Sequence, residues 1–179
     1  MLDNLRQSVG LLYARWHFRT ERDPEQPLTD FLRRSQSILV LLPDGYNEAV
    51  IAGNSLKNLK DLLQNVHLTI VTTGIHPTPL SSSRRVEVIR IDDGDVNKFS
   101  LPRRPALQRI LARSYDVAVD LNLDFVLHAA YICKASRAPV RVGAMRQHGE
   151  TFFNVQLNLD RRSSPQVAFE KFVQYLGMF

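Results

Sequence analysis

The sequence has few of the residues from which cross-linked or metal-held sites are built. Its 179 residues include one cysteine, Cys133, so a disulfide within the chain and a cysteine-based metal cluster are both excluded. Five histidines are present, and no pair shows the close spacing of a zinc site. We therefore predict no metal site, and we interpret Cys133, which lies in an apolar stretch, as a small core residue.

Long apolar runs and nucleotide-binding loops are also missing. No uninterrupted apolar run approaches the roughly 18 residues that a membrane-spanning helix requires. The N-terminal segment lacks a compact apolar stretch followed by a small-residue cleavage site, so we expect a cytoplasmic protein. Neither Gly-x-Gly-x-x-Gly nor Gly-x-x-x-x-Gly-Lys occurs, and no cofactor is therefore expected.

The charge of the chain is basic, with 23 lysines and arginines against 18 acidic residues and a formal net charge of +5. Most of the basic residues are arginines, which bind phosphates and carboxylates bidentately. This composition indicates an anionic partner, which could be a phosphorylated glycolipid, an acidic membrane surface or an acidic protein. Nucleic acid is not expected, because the sequence shows no basic recognition helix and no interleaved aromatic platform.

Residues 1–27 are predicted to form an amphipathic helix and a connector. Apolar residues recur there at steps of three and four, namely Leu2, Leu5, Val9, Leu12, Tyr13 and Trp16. Basic residues surround them, namely Arg6, Arg15, His17, Arg19 and Arg22. The apolar face could pack on its own domain, bind a partner protein through residues 1–22, or lie on an anionic membrane. Prolines then end the helix, and residues 28–179 form the domain proper.

The rest of the chain alternates predicted strands and helices. The expected strands are Ser37–Leu42, Val66–Thr72, Val86–Ile91, Tyr115–Leu121, Val140–Gly143 and Phe152–Leu157. Helices are expected at Glu48–Gln64, Ala106–Ser114 and Val167–Leu176. A further helix, which Asp124 can cap, is expected to run to Ser136. This order predicts an α/β fold with one doubly wound, mostly parallel Rossmann-like sheet, whose ligand site lies at the carboxyl ends of the strands.

Three aliphatic runs, around Val40, Ile70 and Val119, are predicted to be neighbouring parallel strands at the centre of this sheet. Val86–Ile91 alternates apolar with polar residues, which indicates a strand nearer an edge.

Three segments resemble glycosyltransferase family 9, the family of the lipopolysaccharide heptosyltransferases. Ile38–Glu48 followed by 49–56 resembles its opening strand, short loop and helix. Tyr115–Asn122 resembles its strand ending in Asp-Leu-Gln, and Ala135–Ala144 resembles its Ser-Gly-Ala-Pro-Val-Arg-Ile-Gly-Phe segment. The resemblance covers roughly residues 36–179 and implies the N-terminal, acceptor-side half of a GT-B glycosyltransferase, here preceded by an extra amphipathic helix.

The resemblance also implies site residues. Glu48 stands where the family places its general base, which would deprotonate the acceptor hydroxyl. The family's Gly-Asp pair is replaced by Asn47-Glu48, and Leu123 and Val126 stand where glycine and a basic residue are usual. The candidate substrate-binding residues are Asp44, Asn47, Asp120, Asn122, Arg103 and Arg104. Asp44, Asp120 and Asn122 are candidates because they follow predicted strands, where open α/β sheets bind ligands. Arg103 and Arg104 are candidates because guanidinium groups bind phosphates and acidic sugars. Turn formation, helix capping, the helix dipole and a solvated charged face remain alternative explanations for these residues.

The expected function follows from this likeness to one half of an enzyme. The chain would bind the acceptor, an anionic glycolipid of the lipopolysaccharide core, at the inner face of the membrane. It would lack the nucleotide-sugar half and be inactive alone, as a pseudoenzyme is. The alternative is a non-catalytic subunit of a larger complex that uses the N-terminal helix and the arginine-rich surface.

Overall fold

The computed structural model describes residues 2–21, 23, 29–59, 63, 65–74, 85–160 and 162–178, with the side chains of residues 2–4 left aside. The expectations for the Leu2 side chain, for Arg22 and for most of the connector lie outside the described residues. No helix within the described ranges is both long and apolar enough to span a membrane.

Six strands form one sheet. They are β1 (Ser37–Leu41), β2 (His67–Thr73), β3 (Val86–Ile91), β4 (Val117–Asp120), β5 (Val140–Ala144) and β6 (Val155–Leu157). Their order is β3-β2-β1-β4-β5-β6, and every neighbouring pair is parallel. Val40 pairs with Ile70 on one side and with Val119 on the other. The doubly wound parallel sheet, its central strands and the edge position of β3 are thus confirmed.

Helices cover both faces of the sheet. They are α1 (Leu2–Phe18), α2 (Phe31–Arg34), α3 (Tyr46–Leu56), α4 (Arg104–Ile110), α5 (Leu127–Ala135) and α6 (Pro165–Met178). Side chains of β1 alternate between two cores: Val40 packs with α3 and α6, whereas Leu41 packs with α1, α4 and α5. The chain therefore leaves β1 towards one face and β4 towards the other, which creates a crevice between the two strand ends.

The helix α3 ends at Leu56 and a 3₁₀ turn, Lys57–Leu59, follows it, while most of the remaining predicted helix, up to Gln64, lies outside the described residues. The last strand is shorter than predicted. The strand β6 pairs with β5 from Val155 onward, because Phe152 and Phe153 turn into the core beneath β5 and do not extend along it. A Cβ on Gly143 of β5 would lie 2.9 Å from the Phe153 ring, which shows how closely that ring covers the strand.

The orientation of α1 contradicts one of the three alternatives left open by the sequence, namely that its apolar face packs on its own domain. Leu5, Leu12 and Trp16 are 64%, 66% and 59% exposed. The small residues of the opposite face are turned inward, where Ala14 is fully buried and a Cβ on Gly10 would lie 2.1 Å from the Phe99 carbonyl oxygen. Small residues form this interface because they let the helix backbone approach the domain closely.

Gly10→Ala tests this close approach. In a free helix the change would stabilise by roughly 1 kcal/mol through helix propensity. Here we expect destabilisation by about 1–3 kcal/mol, because the Phe99 backbone must move to admit the methyl group. Thermal unfolding measures the difference, and Leu12→Ala, an exposed change on the same helix, is the control and should stay within about 0.5 kcal/mol of the parent. A higher melting temperature for Gly10→Ala would contradict the packing.

A buried ion cluster ties the segment after α1 to the sheet. Lys134 Nζ on α5 donates to Asp23 Oδ1 at 2.7 Å, and Arg141 Nη2 on β5 lies 2.6 Å from Asp23 Oδ2 in a charge contact outside hydrogen-bond geometry. Arg141 also donates to the carbonyl oxygens of Phe152 and Ala138. Two cations that are almost fully buried thus share one carboxylate.

Candidate functional site

The crevice predicted by the topology lies where β1 and β4 end. After β1 the chain turns at Pro43-Asp44-Gly45, and after β4 it passes through Asn122. The backbone amide of Asp44 donates to Asn122 Oδ1 at 3.3 Å. Asn122 in turn donates to Asp120 Oδ1 from its backbone nitrogen at 3.0 Å and from Nδ2 at 2.7 Å. The structure therefore brings three of the predicted site residues into one hydrogen-bonded group.

A histidine joins this group from the first turn of α5. His128 Nε2 lies 3.3 Å from Asp44 Oδ1, and its side chain is mostly buried while that of Asp44 is half exposed. A carboxylate beside an imidazole can orient the ring and stabilise its charged form, which is an arrangement used in proton transfer. The sequence analysis considers His128 only as a possible metal ligand. Its position soon after a central strand is the signal that could have identified it as a site residue.

Asp120 is buried at the tip of β4. Burial raises its pKa to about 7, and the hydrogen bonds from Asn122 and the proximity of His128 oppose this rise only in part. The negative charge of Asp44 acts in the same direction as burial. A carboxyl group that titrates near neutral pH beside a cleft is a common property of functional sites.

An open cleft of about 670 Å³ adjoins Asp44 and His128. Two further carboxylates, Asp92 and Asp93, line it from the segment that follows β3, and Phe125 and Gln7 contribute an aromatic ring and an amide. Thr73, Gly74 and Ser100 supply small polar surface. Among the described lining residues there is no lysine and no arginine, so the cleft carries an acidic character within a basic protein.

The other predicted residues lie around this cleft or away from it. Glu48 is half buried in the first turn of α3, with Oε2 3.5 Å from the point where a Cβ on Gly45 would stand. Asn47 is exposed beside it. Arg103 and Arg104 are exposed at the start of α4; Arg104 lines a second cavity of about 420 Å³ against α1, and neither lines the acidic cleft. The binding and catalytic roles of all these residues stay predictions.

Several lining residues escaped the sequence analysis. Asp92 and Asp93 directly follow β3 and so stand at the carboxyl edge of the sheet, although they are not among the residues predicted for the site. Their position after a strand is the signal that could have identified them. Gln7 could not have been found, because only the packing of α1 brings it to the cleft.

Two solved structures share this fold. The chain superposes on the E. coli heptosyltransferase WaaC, solved with ADP, with a TM-score of 0.62 at 14% identity, and it covers 78% of this chain and 46% of that one. It superposes on a glycosyl transferase of family 9 from Veillonella parvula with a TM-score of 0.63 at 16% identity, covering 80% and 42%. The chain has the fold of a family 9 glycosyltransferase domain. No protein-family model and no curated protein sequence matches it.

The likeness to glycosyltransferase family 9 is partial in length. The chain spans less than half of each of these two structures. At 14% and 16% identity it is the fold that is shared. The likeness therefore does not determine the acceptor, the donor or the reaction of this chain.

Proposed function

We propose that this chain is the acceptor-binding domain of a glycosyltransferase of the family 9 type, and that a sugar of a lipopolysaccharide core binds in the acidic cleft. The observation that carries the proposal is the placement of Asp44, Asp92, Asp93 and His128 around one open cleft at the strand ends. Open α/β sheets bind their ligands at this position.

The chemistry of the cleft fits a sugar through its hydroxyl groups. Ionised carboxylates accept hydrogen bonds from several hydroxyls at once, and Phe125 offers an apolar surface to a sugar ring. Since no lysine or arginine is found among the described lining residues, phosphate groups of the glycolipid would have to lie outside this cleft. Arg103 and Arg104, which do not line the cleft, stay candidates for binding such phosphates.

Sugar transfer with inversion needs a base for the acceptor hydroxyl. We propose that Asp44, paired with His128 at 3.3 Å, orients this hydroxyl and accepts its proton. Glu48, the candidate given by the family resemblance, lies one helical turn away and is not among the lining residues. Glu48→Gln and Asp44→Asn, assayed side by side once a donor-binding half is supplied, would show which carboxylate removes the proton.

Calorimetric titration with deep-core lipopolysaccharide tests the acceptor proposal. We expect binding by the parent protein and at least tenfold weaker binding by Asp44→Asn, because a charge-assisted hydrogen bond contributes roughly 1.5–3 kcal/mol. Glu170→Gln, which removes an exposed carboxylate on α6 outside the cleft, is the matched control and should bind like the parent.

Nucleotide-heptose is titrated in parallel. We expect no binding, because in the resembling family the second half of the enzyme holds the donor. Binding of the donor instead of the acceptor would overturn the proposal. Binding of neither ligand would favour the alternative of a non-catalytic subunit.

A further inference from the structure

The outer face of α1 carries an apolar stripe that the described part of the domain leaves largely exposed. The stripe, defined by Leu5, Val9, Leu12, Tyr13 and Trp16, occupies successive turns of the helix, and all five side chains are exposed. At 1.5 Å per residue it extends over roughly 16 Å. Because α1 packs on the domain through its opposite face, Leu5, Leu12 and Trp16 point away from the protein, whereas Val9 and Tyr13 also line the cavity of about 420 Å³ between α1 and the domain.

Basic residues flank this stripe on both sides. Successive helical residues are rotated by about 100°, which places Arg6 and His17 along one edge and Arg15 and Arg19 along the other. Residues 5–20 contain no aspartate and no glutamate. Two of them also contact the domain: the guanidinium of Arg15 lies 3.2 Å from Glu150 and 2.8 Å from His148, and the His17 ring stacks on Tyr131 with 6.0 Å between the ring centroids.

The stripe also carries side chains suited to a boundary between apolar and aqueous phases. Trp16 and Tyr13 combine a large apolar ring with a polar group, and such rings concentrate at membrane interfaces. The guanidinium of Arg19 lies over the Trp16 ring, 4.7 Å from its centroid, so a charge and an aromatic surface are presented together.

We propose that α1 docks on an anionic lipid surface, lying in the plane of the interface with the stripe inserted and the flanking arginines at the phosphate level. A helix with a Leu- and Trp-containing face, basic edges and no acidic residue from Leu5 onward matches what such surfaces bind. A protein partner would also accept the apolar residues, but the cationic charge on both edges favours a uniformly anionic, extended surface.

This docking would hold the acidic cleft about one helix diameter, roughly 10 Å, from the membrane surface. Gln7, on the domain side of the same helix, lines that cleft. A glycolipid whose acyl chains remain in the bilayer could therefore present its sugars to Asp44 without leaving the membrane. The docking itself does not depend on the proposed sugar ligand, and the two can fail separately.

Vesicle binding of the purified chain tests the proposal, with Trp16, the only tryptophan, as the reporter. Vesicles are made of phosphatidylcholine alone or of phosphatidylcholine with phosphatidylglycerol at three to one. We expect a blue shift of Trp16 emission and co-sedimentation with the mixed vesicles, and at least tenfold weaker binding to phosphatidylcholine alone. High salt should weaken the binding, because the arginines contribute through charge.

Leu12→Ser should lower binding to the mixed vesicles at least tenfold, with an unchanged melting temperature because Leu12 is exposed. Tyr175→Ser, which alters an exposed aromatic residue on α6, is the matched control and should bind like the parent. Asp44→Asn should also keep full vesicle binding, and Leu12→Ser should keep binding of delipidated core oligosaccharide, which separates docking from acceptor recognition.

Two results would overturn the docking proposal. One is the absence of a Trp16 shift with both vesicle types. The other is a dimer or a protein complex in solution that Leu12→Ser disperses, with Trp16 already shielded before lipid is added, since the stripe would then be a protein interface.

Discussion

Replacing Asp23 by asparagine is expected to lower the melting temperature by roughly 10 °C, the largest loss of stability we predict for a single change. The substitution removes the one negative charge between Lys134 and Arg141, whose side chains are 6% and 3% exposed. Removing one partner of a buried ion pair costs about 3–5 kcal/mol, and we take the lower end because Asp23 itself is 36% exposed.

The pH dependence gives this prediction a second readout. Burial raises the pKa of Asp23, but hydrogen bonding and charge from Lys134 and Arg141 outweigh burial and hold it below 3.8. The stabilisation is therefore present above about pH 4 and is lost as the pH falls through the lowered pKa. The difference in melting temperature between the parent and Asp23→Asn should shrink accordingly in acid.

Glu150→Gln is the control for Asp23→Asn. It breaks the exposed contact with Arg15 and should cost less than about 1 kcal/mol. An Asp23→Asn protein that melts no lower than Glu150→Gln would show that the two buried cations do not depend on this carboxylate.

The second large effect concerns Asp120. Its replacement is expected to raise the stability of the protein, whereas the replacement of Asp23 lowers it. Burial raises the pKa of Asp120 to about 7, from 3.8. Between these two values the folded state binds more protons than the unfolded state, so the contribution of Asp120 to stability falls as the pH rises through this window. Ionising this group in the folded protein at pH 8 costs up to about 4 kcal/mol.

Asp120→Asn should therefore raise the free energy of unfolding at pH 8 by up to about 4 kcal/mol and at pH 5 by less than about half of that. The asparagine oxygen can still accept the hydrogen bonds that Asn122 donates, and the charge that has to be buried is gone. Denaturant unfolding at the two pH values measures the difference, with Glu170→Gln as a control whose effect should be the same at both. Equal destabilisation by Asp120→Asn at pH 5 and pH 8 would contradict the raised pKa.

Asp120 lowers stability at neutral pH in a place where a polar network adjoins a cleft. Costs of this kind are common at functional sites, because such sites require groups that a stable core would not contain. Asp44, Asn122 and His128 belong to the same network. The stability measurements on Asp120 therefore bear on the candidate site as well as on the fold.

The candidate site could be predicted only in part. Asp44, Asp120 and Asn122 follow central strands, and a sequence that shows the strands also shows which residues stand at their ends. The pairing of Asp44 with His128, and the approach of Asp92 and Asp93 to the same cleft, depend on how three loops and α5 are folded together. The local sequence pattern does not encode such contacts between distant residues.

The sequence by itself determined the parallel sheet. The aliphatic runs around Val40, Ile70 and Val119 are buried on both faces, and the helical segments between them leave parallel crossover connections as the regular solution. Hydrophobic periodicity records burial residue by residue, which is why strand identity and the edge position of β3 could be predicted.

Only the tertiary structure decided which face of α1 turns inward and which charges are buried. The large apolar residues of α1 left a core contact, a partner and a membrane open as alternatives, whereas the contact with the domain is formed by Gly10 and Ala14, because the closeness of two backbones depends on the smallest side chains between them. Asp23 likewise contacts Lys134 and Arg141 only because the folded chain brings these distant residues together. Contacts between residues far apart in the chain arise from packing geometry, which no local pattern encodes.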